Sequence, residues 1–507
     1  MKFKTLLSIR LFSILFFTTF ILSCEKEKPS EQPPTPAPSL NSFWFKSKHN
    51  AGLDAIANFE IVDKDISGRL PFAADITKLV ASFDLDNGTF AVNGVTQISG
   101  QSVNDFSQPL TYTLYGRDGT VEEYVVDATD FTGLPLFYIN TDGGVEIDSK
   151  DYYFPGSAEI KGGKNFDDAS GTMQIRGRGH STWWVHPKKP YQFKFDDKTA
   201  ILGMPADKKW ILLAEYSDKT MIRNKLAFEM GNKSNLEWTP QSEYADVFVN
   251  NNYRGTYNIT QKVEESSNRL PLGDNGFLCE IDTPDHLEEG DVSFTSNHFT
   301  IQIKEPDLQT GSTQYEYIKN FVSEFETVLY SDNFNDPLNG YRKYVDVASF
   351  VEWYLVNEMA KNQDARSYSS MYFTLIPGQK IKMGPLWDFD LGFGNVDYSE
   401  CEYNDGFWVK YHAWISRMFD DPAFATAVKE RFQFFKSNEG YFLDFIDSQA
   451  KKLYYSQKEN DKKWNLIGRY VWPNPLVYNT YQEEVDHLKD WFSGRMDWLD
   501  EAYQDLN

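Results

Sequence analysis

The sequence predicts an α+β protein in two folded parts, a small all-β sandwich followed by a larger mixed domain. Three observations carry this reading. Between Asn41 and Asp130, short β-branched and aromatic runs alternate with Asn-Gly and Asp-Gly turns, the rhythm of antiparallel hairpins. After the Gly133-Leu134-Pro135 junction, strand-like runs mix with stripes at helical spacing. Within that second part a helix, a hairpin and an acidic turn follow one another, with Asp364 before the hairpin and Asp388-Phe389-Asp390 after it.

The chain opens with Lys2, Lys4 and Arg10, then an apolar run from Leu11 to Leu22. A basic start and an apolar core make residues 1–23 a secretory signal. The junction Ile21-Leu22-Ser23-Cys24 resembles a bacterial lipobox, which implies lipid on Cys24 and a place in the envelope, periplasmic or on the outer-membrane surface. Cys24→Ala is then expected to release the protein from the membrane fraction. A variant as membrane-bound as wild type would overturn the lipobox. Residues 24–40 are mostly Glu, Lys, Pro and Ser and predict a flexible tether. Asp and Glu outnumber Lys and Arg by 74 to 50, so the general field repels nucleic acid.

Two further cysteines, Cys279 and Cys401, are too few for a disulfide scaffold, and sequence leaves their pairing open. Seven histidines without HExxH or CxxC spacing argue against a zinc enzyme. Neither a Walker-type phosphate loop nor a Gly-x-Ser-x-Gly elbow is found.

In the first part, Phe90-Ala91-Val92 and Val95-Thr96-Gln97 flank a turn at Asn93-Gly94, and Thr111–Tyr115 and Val121–Val126 flank Asp118-Gly119. Ile76, Leu79, Val80 and Phe83 suit a strand or a short helix equally. The segment is similar to the immunoglobulin-like modules of secreted bacterial lipoproteins, and it carries no catalytic constellation. A spacer role is expected.

The second part begins with the strand Leu136–Ile139. Met173 to Arg176 then runs into a glycine turn, Gly177-Arg178-Gly179-His180-Ser181, and returns through Lys188-Lys189-Pro190-Tyr191-Gln192-Phe193-Lys194-Phe195. Glycines let backbone N–H groups approach phosphate oxygens, and a lysine on the return strand adds charge. Tyr191, Phe193 and Phe195 alternate with Gln192 and Lys194, so Lys194 is expected to point away from the aromatic face; either Lys189 or Lys194 is the candidate. Trp210–Ala214 reads as a buried strand. A helix starts near Arg223-Asn224, with Ser217 or Asp218 as cap, and an Asn-rich hairpin spans 247–259. Gly276–Asp282 and Ile301–Pro306 add strand pieces.

Asp346 suits an N-cap, and Val347, Phe350, Val351, Tyr354, Leu355 and Met359 form one apolar stripe. The hairpin Met371–Leu375, Pro377-Gly378, Ile381–Leu386 follows. A hairpin returns to its origin, so Asp364 should lie near Asp388. In an Asp-x-Asp turn the carboxylates of Asp388 and Asp390 can share a hard divalent cation, and Gly392 and Gly394 permit a sharp turn.

Asn362-x-Asp364, Ser370-x-Tyr372 and Gly384-Pro385-Leu386-Trp387-Asp388-Phe389-Asp390-x-x-Phe393-Gly394 resemble the CotH kinase family, named for a spore-coat protein kinase. The glycine turn, the Asp218–Asn224 element and the 247–259 hairpin match as well, so residues 134–507 are expected to form an atypical, kinase-like bilobal domain. The resemblance implies ATP and Mg²⁺ or Mn²⁺ as cofactors, with transfer of phosphate to a protein or other hydroxyl acceptor. It implies Asp388 and Asp390 as metal ligands and Asp364 as the catalytic base. Arg176, Lys189 or Lys194 would meet the nucleotide, with Glu280, Asp282 and Lys304 as secondary candidates that suit structural ion pairs equally well. Two departures stand out. Gln261 and Lys262 come where a Glu is common, with Glu264 late, which leaves the lysine–glutamate pair unassigned; and Ser369 stands five residues after Asp364, where kinases place a metal-binding Asn.

After Asn395 the chain is helical and aromatic-rich, and its last helix, near 481–505, places Val485, Leu488, Arg495 and Leu499 on one side. Two rivals to the kinase remain open on sequence. One is a non-catalytic, lipid-anchored shell that binds glycan or protein. The other is a glycosyltransferase using Asp388-x-Asp390 with a nucleotide sugar.

Overall fold

The computed structural model describes residues 35–504. The signal segment, Cys24 and most of the tether lie outside the described residues. Among those described, no helix is long and apolar enough to cross a membrane.

Nine strands of the first module share one hydrogen-bonded order that folds back on itself as two layers. Phe43 of one layer meets Tyr112 of the other with ring centroids 5.5 Å apart, inside a core that includes Phe45, Phe59, Phe90 and Phe106. Both expected tight turns close hairpins, with Val92 opposite Val95 and Tyr115 opposite Val121. The ambiguous segment resolves into a short 3₁₀ turn, Ile76–Lys78, and a strand, Leu79–Asp86. Pairing decides for the strand, because Ala81 and Phe83 oppose Phe45 and Phe43. The module is seated on the second domain: Phe72 stacks on Phe248 at 4.4 Å, Phe131 packs beside it, and Arg69 pairs with Glu459 at 2.8 Å.

The second domain starts as a closed barrel of seven strands. Its first strand, Leu136–Thr141, closes it by pairing in parallel with Ser242–Val249. Alternation explains the interior, where Phe137, Phe193, Phe195, Trp210, Leu212 and Tyr257 form a buried hydrophobic core. Gln192, Lys194, Lys209 and Ile211 belong to the opposite face, and Arg176 pairs with Gln192 in register.

A five-stranded sheet lies beyond the barrel, ordered Ser293–Thr295, Thr300–Glu305, Phe277–Asp282, Met371–Leu375, Lys382–Met383. Helices back it. Asp346 caps the helix Val347–Ala360 by accepting from the Ser349 N–H at 3.1 Å. Phe350, Val351, Tyr354, Leu355 and Met359 are buried as the stripe requires, but so are Glu352, Asn357 and Glu358, so this helix is enclosed on every side. It ends at Lys361 with φ +45°, whose ammonium is satisfied by the carbonyls of Glu400, Tyr403 and Asp405. Cys279 and Cys401 are both buried free thiols.

One core residue gives a pH-dependent expectation. His412 stacks on Phe299 at 4.7 Å beside Trp353 and Trp414, and neither ring nitrogen has a hydrogen-bond partner. Burial pushes it down to about 3. Because the folded value lies below the ordinary one near 6.5, stability present above pH 6.5 is lost as pH falls toward 3. His412→Phe should therefore spare about 2 kcal/mol of the loss between pH 8 and pH 5, read from urea melts at both pH values.

Candidate active site

A cleft of about 580 Å³ separates the barrel from the five-stranded sheet. Its roof is the outer face of the barrel with the glycine turn, and its floor is the sheet with the loops flanking the 371–383 hairpin. The hairpin forms as expected: Phe373 opposes Met383, and the Gly384 N–H donates to the Tyr372 carbonyl at 2.8 Å. Asp364 enters the cleft at one end of it, and Asp388 and Asp390 at the other.

The acidic turn is held by side-chain amides. Asp388 sits at φ +65°, in the left-handed region that few non-glycine residues adopt. Between the two aspartates, the Phe389 N–H donates to Asn224 Oδ1 at 2.8 Å. Asn395 Nδ2 donates to the Asp390 carbonyl at 2.7 Å, and Asn362 Nδ2 to the Asp388 carbonyl at 3.3 Å. Asn224 is itself anchored through its amide on Glu215 at 3.1 Å, a carboxyl that burial raises to about 8. These contacts lock a strained residue where its carboxylate faces the cleft, with Ser370 Oγ donating to Asp388 Oδ2 at 3.2 Å.

Burial raises Asp364 to about 7, and the charges of Asp388 and Asp282 add to the shift. Ser369 opposes it with a hydrogen bond to the Asp364 carboxylate, so the residue at the offset of the kinase Asn steadies Asp364. Burial also raises Asp390 well above the carboxylate range, with Asp388 the next cause. Asp282 rises to about 7, from burial first and Glu280 second, and it contacts His286 Nδ1 at 2.7 Å. Carboxylates crowded in this way gain from a nearby cation. Among the described residues no group of three His, Cys, Asp or Glu side chains forms a ready metal cage. Magnesium, however, is commonly held by one or two carboxylates with substrate phosphates and water completing its shell, and Asp388 with Asp390 fits that pattern.

The basic residues divide. Arg176 and Lys304 line the cleft. Arg176 donates to the Lys150 carbonyl at 2.8 Å and leaves Nε buried without a partner. Lys304 pairs with Glu280 at 3.3 Å, placing these two of the three secondary candidates together on the floor. Lys189 is turned to the Trp183 carbonyl at 2.5 Å, and Lys194 lies over the Tyr153 ring at 4.3 Å; neither lines the cleft. The face of Lys194 is as expected, opposite the buried Phe193 and Phe195.

Beside Lys150, two further lysines not singled out from sequence line the cleft, Lys209 and Lys262. Both reach Glu264, at 3.0 and 3.3 Å, and Arg269 completes the cluster. The late Glu264 thus forms ion pairs with two cleft lysines. A usable signal existed for Lys209: it alternates with Trp210 and shares a face with Ile211. Lys262 had none, since only the antiparallel pairing of Asn252–Gln261 with Met204–Leu213 brings it beside Lys209.

A barrel roof carrying a glycine turn and a lysine–glutamate cluster, above a floor with one carboxylate on each side of a hairpin, defines a kinase-like bilobal domain. The chain belongs to the CotH kinase family. The family described as CotH kinase protein matches residues 174–499, and a second family, described as SGBP, N-terminal, matches residues 48–128. No curated protein matches the chain. Among solved structures, a chain from Bacteroides thetaiotaomicron described as a glycoside hydrolase is 13% identical, covering 58% of this chain and 89% of that one, with a TM-score of 0.16.

Proposed function

We propose that the protein transfers the γ-phosphoryl group of ATP to a hydroxyl acceptor at the cell envelope. The observation that supports this most is the convergence of Asp364 and Asp388 on one cleft beneath Lys209, Lys262 and Arg176. Asp388 and Asp390 would hold Mg²⁺ or Mn²⁺, which supplies charge neutralisation to the phosphates when bound. Lys209 and Lys262, held by Glu264, and Arg176 at the glycine turn offset further phosphate charge. Asp364, steadied by Ser369, orients the acceptor hydroxyl and takes its proton.

The match to SGBP, whose name denotes surface glycan binding, supports an extracellular or envelope location, in keeping with the lipobox at Cys24. The same match favours a second reading, a kinase-like shell that binds glycan without turnover. Calorimetric titration of ATP with Mg²⁺ or Mn²⁺ separates the two. Metal-dependent binding is expected, and its absence with both ions would remove the kinase reading. UDP-sugars in the same titration test the glycosyltransferase alternative, for which binding of the nucleotide sugar in place of ATP is required.

A further inference from the structure

We infer that the end of the cleft beside Asp364 is an acceptor subsite for a neutral glycan, with Trp472, Tyr398 and Tyr368 as its sugar-binding shelf. This rests on the phosphotransfer reading and names its acceptor class. Trp472 and Tyr398 stack nearly parallel, with ring centroids 5.9 Å apart and an interplanar angle of 11°. They remain 40% and 51% exposed, and Tyr368, four residues after Asp364, is 49% exposed. Trp472 and Tyr368 line the same cleft as Asp364 and Asp390. Three separate segments therefore bring large rings to one rim, at the side of the proposed base. Burial raises the Tyr398 phenol, and Asp364 and Asp390 add to the shift, which puts both carboxylates within electrostatic reach of the shelf.

Rings beside hydrogen-bonding carboxylates suit a pyranose, whose C–H face packs on an aromatic plane while its hydroxyls meet polar groups. Tyr368 adds a polar edge, its hydroxyl 3.5 Å from His286 Nε2. Carboxylates at 282, 364, 388 and 390 disfavour an acidic polymer. An extended peptide finds no unpaired strand edge in the roof, because the barrel is closed. A basic peptide satisfies the charge and can lay Lys or Arg over the rings, so it is the competing acceptor that the test includes. In the reaction the sugar hydroxyl oxygen attacks the γ-phosphorus of ATP, and the bond from that phosphorus to the β,γ-bridging oxygen breaks. The bonding pair leaves with ADP, and the hydroxyl proton passes to Asp364. The products are a sugar phosphate monoester and ADP.

The test titrates cellohexaose, mannohexaose and xylohexaose into the mature protein and into Trp472→Ala, Trp472→Phe and Tyr398→Ala. Radiolabel transfer from ATP to each saccharide, and to a basic Ser-rich peptide, is followed alongside. At least one hexaose should bind, both alanine variants should weaken it about tenfold, and Trp472→Phe should retain most of the affinity. Trp472→Phe and Tyr398→Ala keep the test decisive if Trp472→Ala fails to fold. Saccharide binding indifferent to these residues, absence of binding by all three hexaoses, or preferential labelling of the peptide would overturn the subsite. ATP titration of wild type separates the two failures. Shelf-dependent saccharide binding without ATP binding supports the subsite and removes the transfer, whereas ATP binding without saccharide binding removes the subsite alone.

Discussion

Asp388→Asn is expected to abolish metal-dependent ATP binding, whereas Asp364→Asn should leave binding nearly intact and lower phosphoryl transfer by about 10²- to 10⁴-fold. The contrast follows from their places in the cleft. Asp388 is fixed at φ +65° by the amides around Phe389 and presents an anionic ligand that a neutral amide replaces poorly on a hard cation. Asp364 enters the cleft at the other end of the hairpin, where the proposed acceptor hydroxyl would lie, steadied by Ser369. Calorimetry of ATP with Mg²⁺ or Mn²⁺ reads the first effect, and radiolabel transfer at saturating ATP reads the second. Binding that survives Asp388→Asn would remove the metal assignment. Transfer that survives Asp364→Asn would remove the base.

Arg495→Ala is expected to destabilise the second domain by about 3–5 kcal/mol, the range for breaking a buried ion pair from one side. Arg495 and Glu358 are both fully buried, with Nη2 to Oε1 at 2.6 Å. The guanidinium also donates to the carbonyls of Glu358, Asn404 and Gly406, while the Glu358 carboxylate accepts from the N–H groups of Trp408 and Lys410. This cluster ties the last helix and the 404–410 loop to the helix Val347–Ala360, whose end leads to Asp364. Truncating Arg495 removes the cation from a fully buried carboxylate and leaves it the Trp408 and Lys410 N–H groups. Urea denaturation measures the loss, and a change under 1 kcal/mol would mean that the pair is solvated or replaced. Arg495→Met tests the distinction between charge and volume, since it restores packing but leaves Glu358 unpaired.

What the sequence determined by itself is local and periodic. The Asn-Gly and Asp-Gly turns close the hairpins they mark, because left-handed backbone needs those residues. Asp346 caps its helix, the Tyr191–Phe195 alternation splits one face from the other, and the 371–383 hairpin returns Asp388 to the cleft that Asp364 enters. Each of these depends on neighbours within a few tens of residues. Tertiary structure alone decided the rest. Lys262 reaches the cleft only because the strand before it pairs with Met204–Leu213, and Glu264 acquires Lys209 from more than fifty residues away. Leu79–Asp86 became a strand because Phe43 and Phe45 lay ready to pair with it. Arg495 was legible as one member of a helical side, but not as the buried partner of Glu358, which lies 137 residues earlier. Nor did spacing announce the shelf, since Tyr368, Tyr398 and Trp472 come from segments with no common period. Periodicity records which way a side chain faces; which charge or ring stands opposite is set by the packing of distant segments, where burial makes each pairing matter.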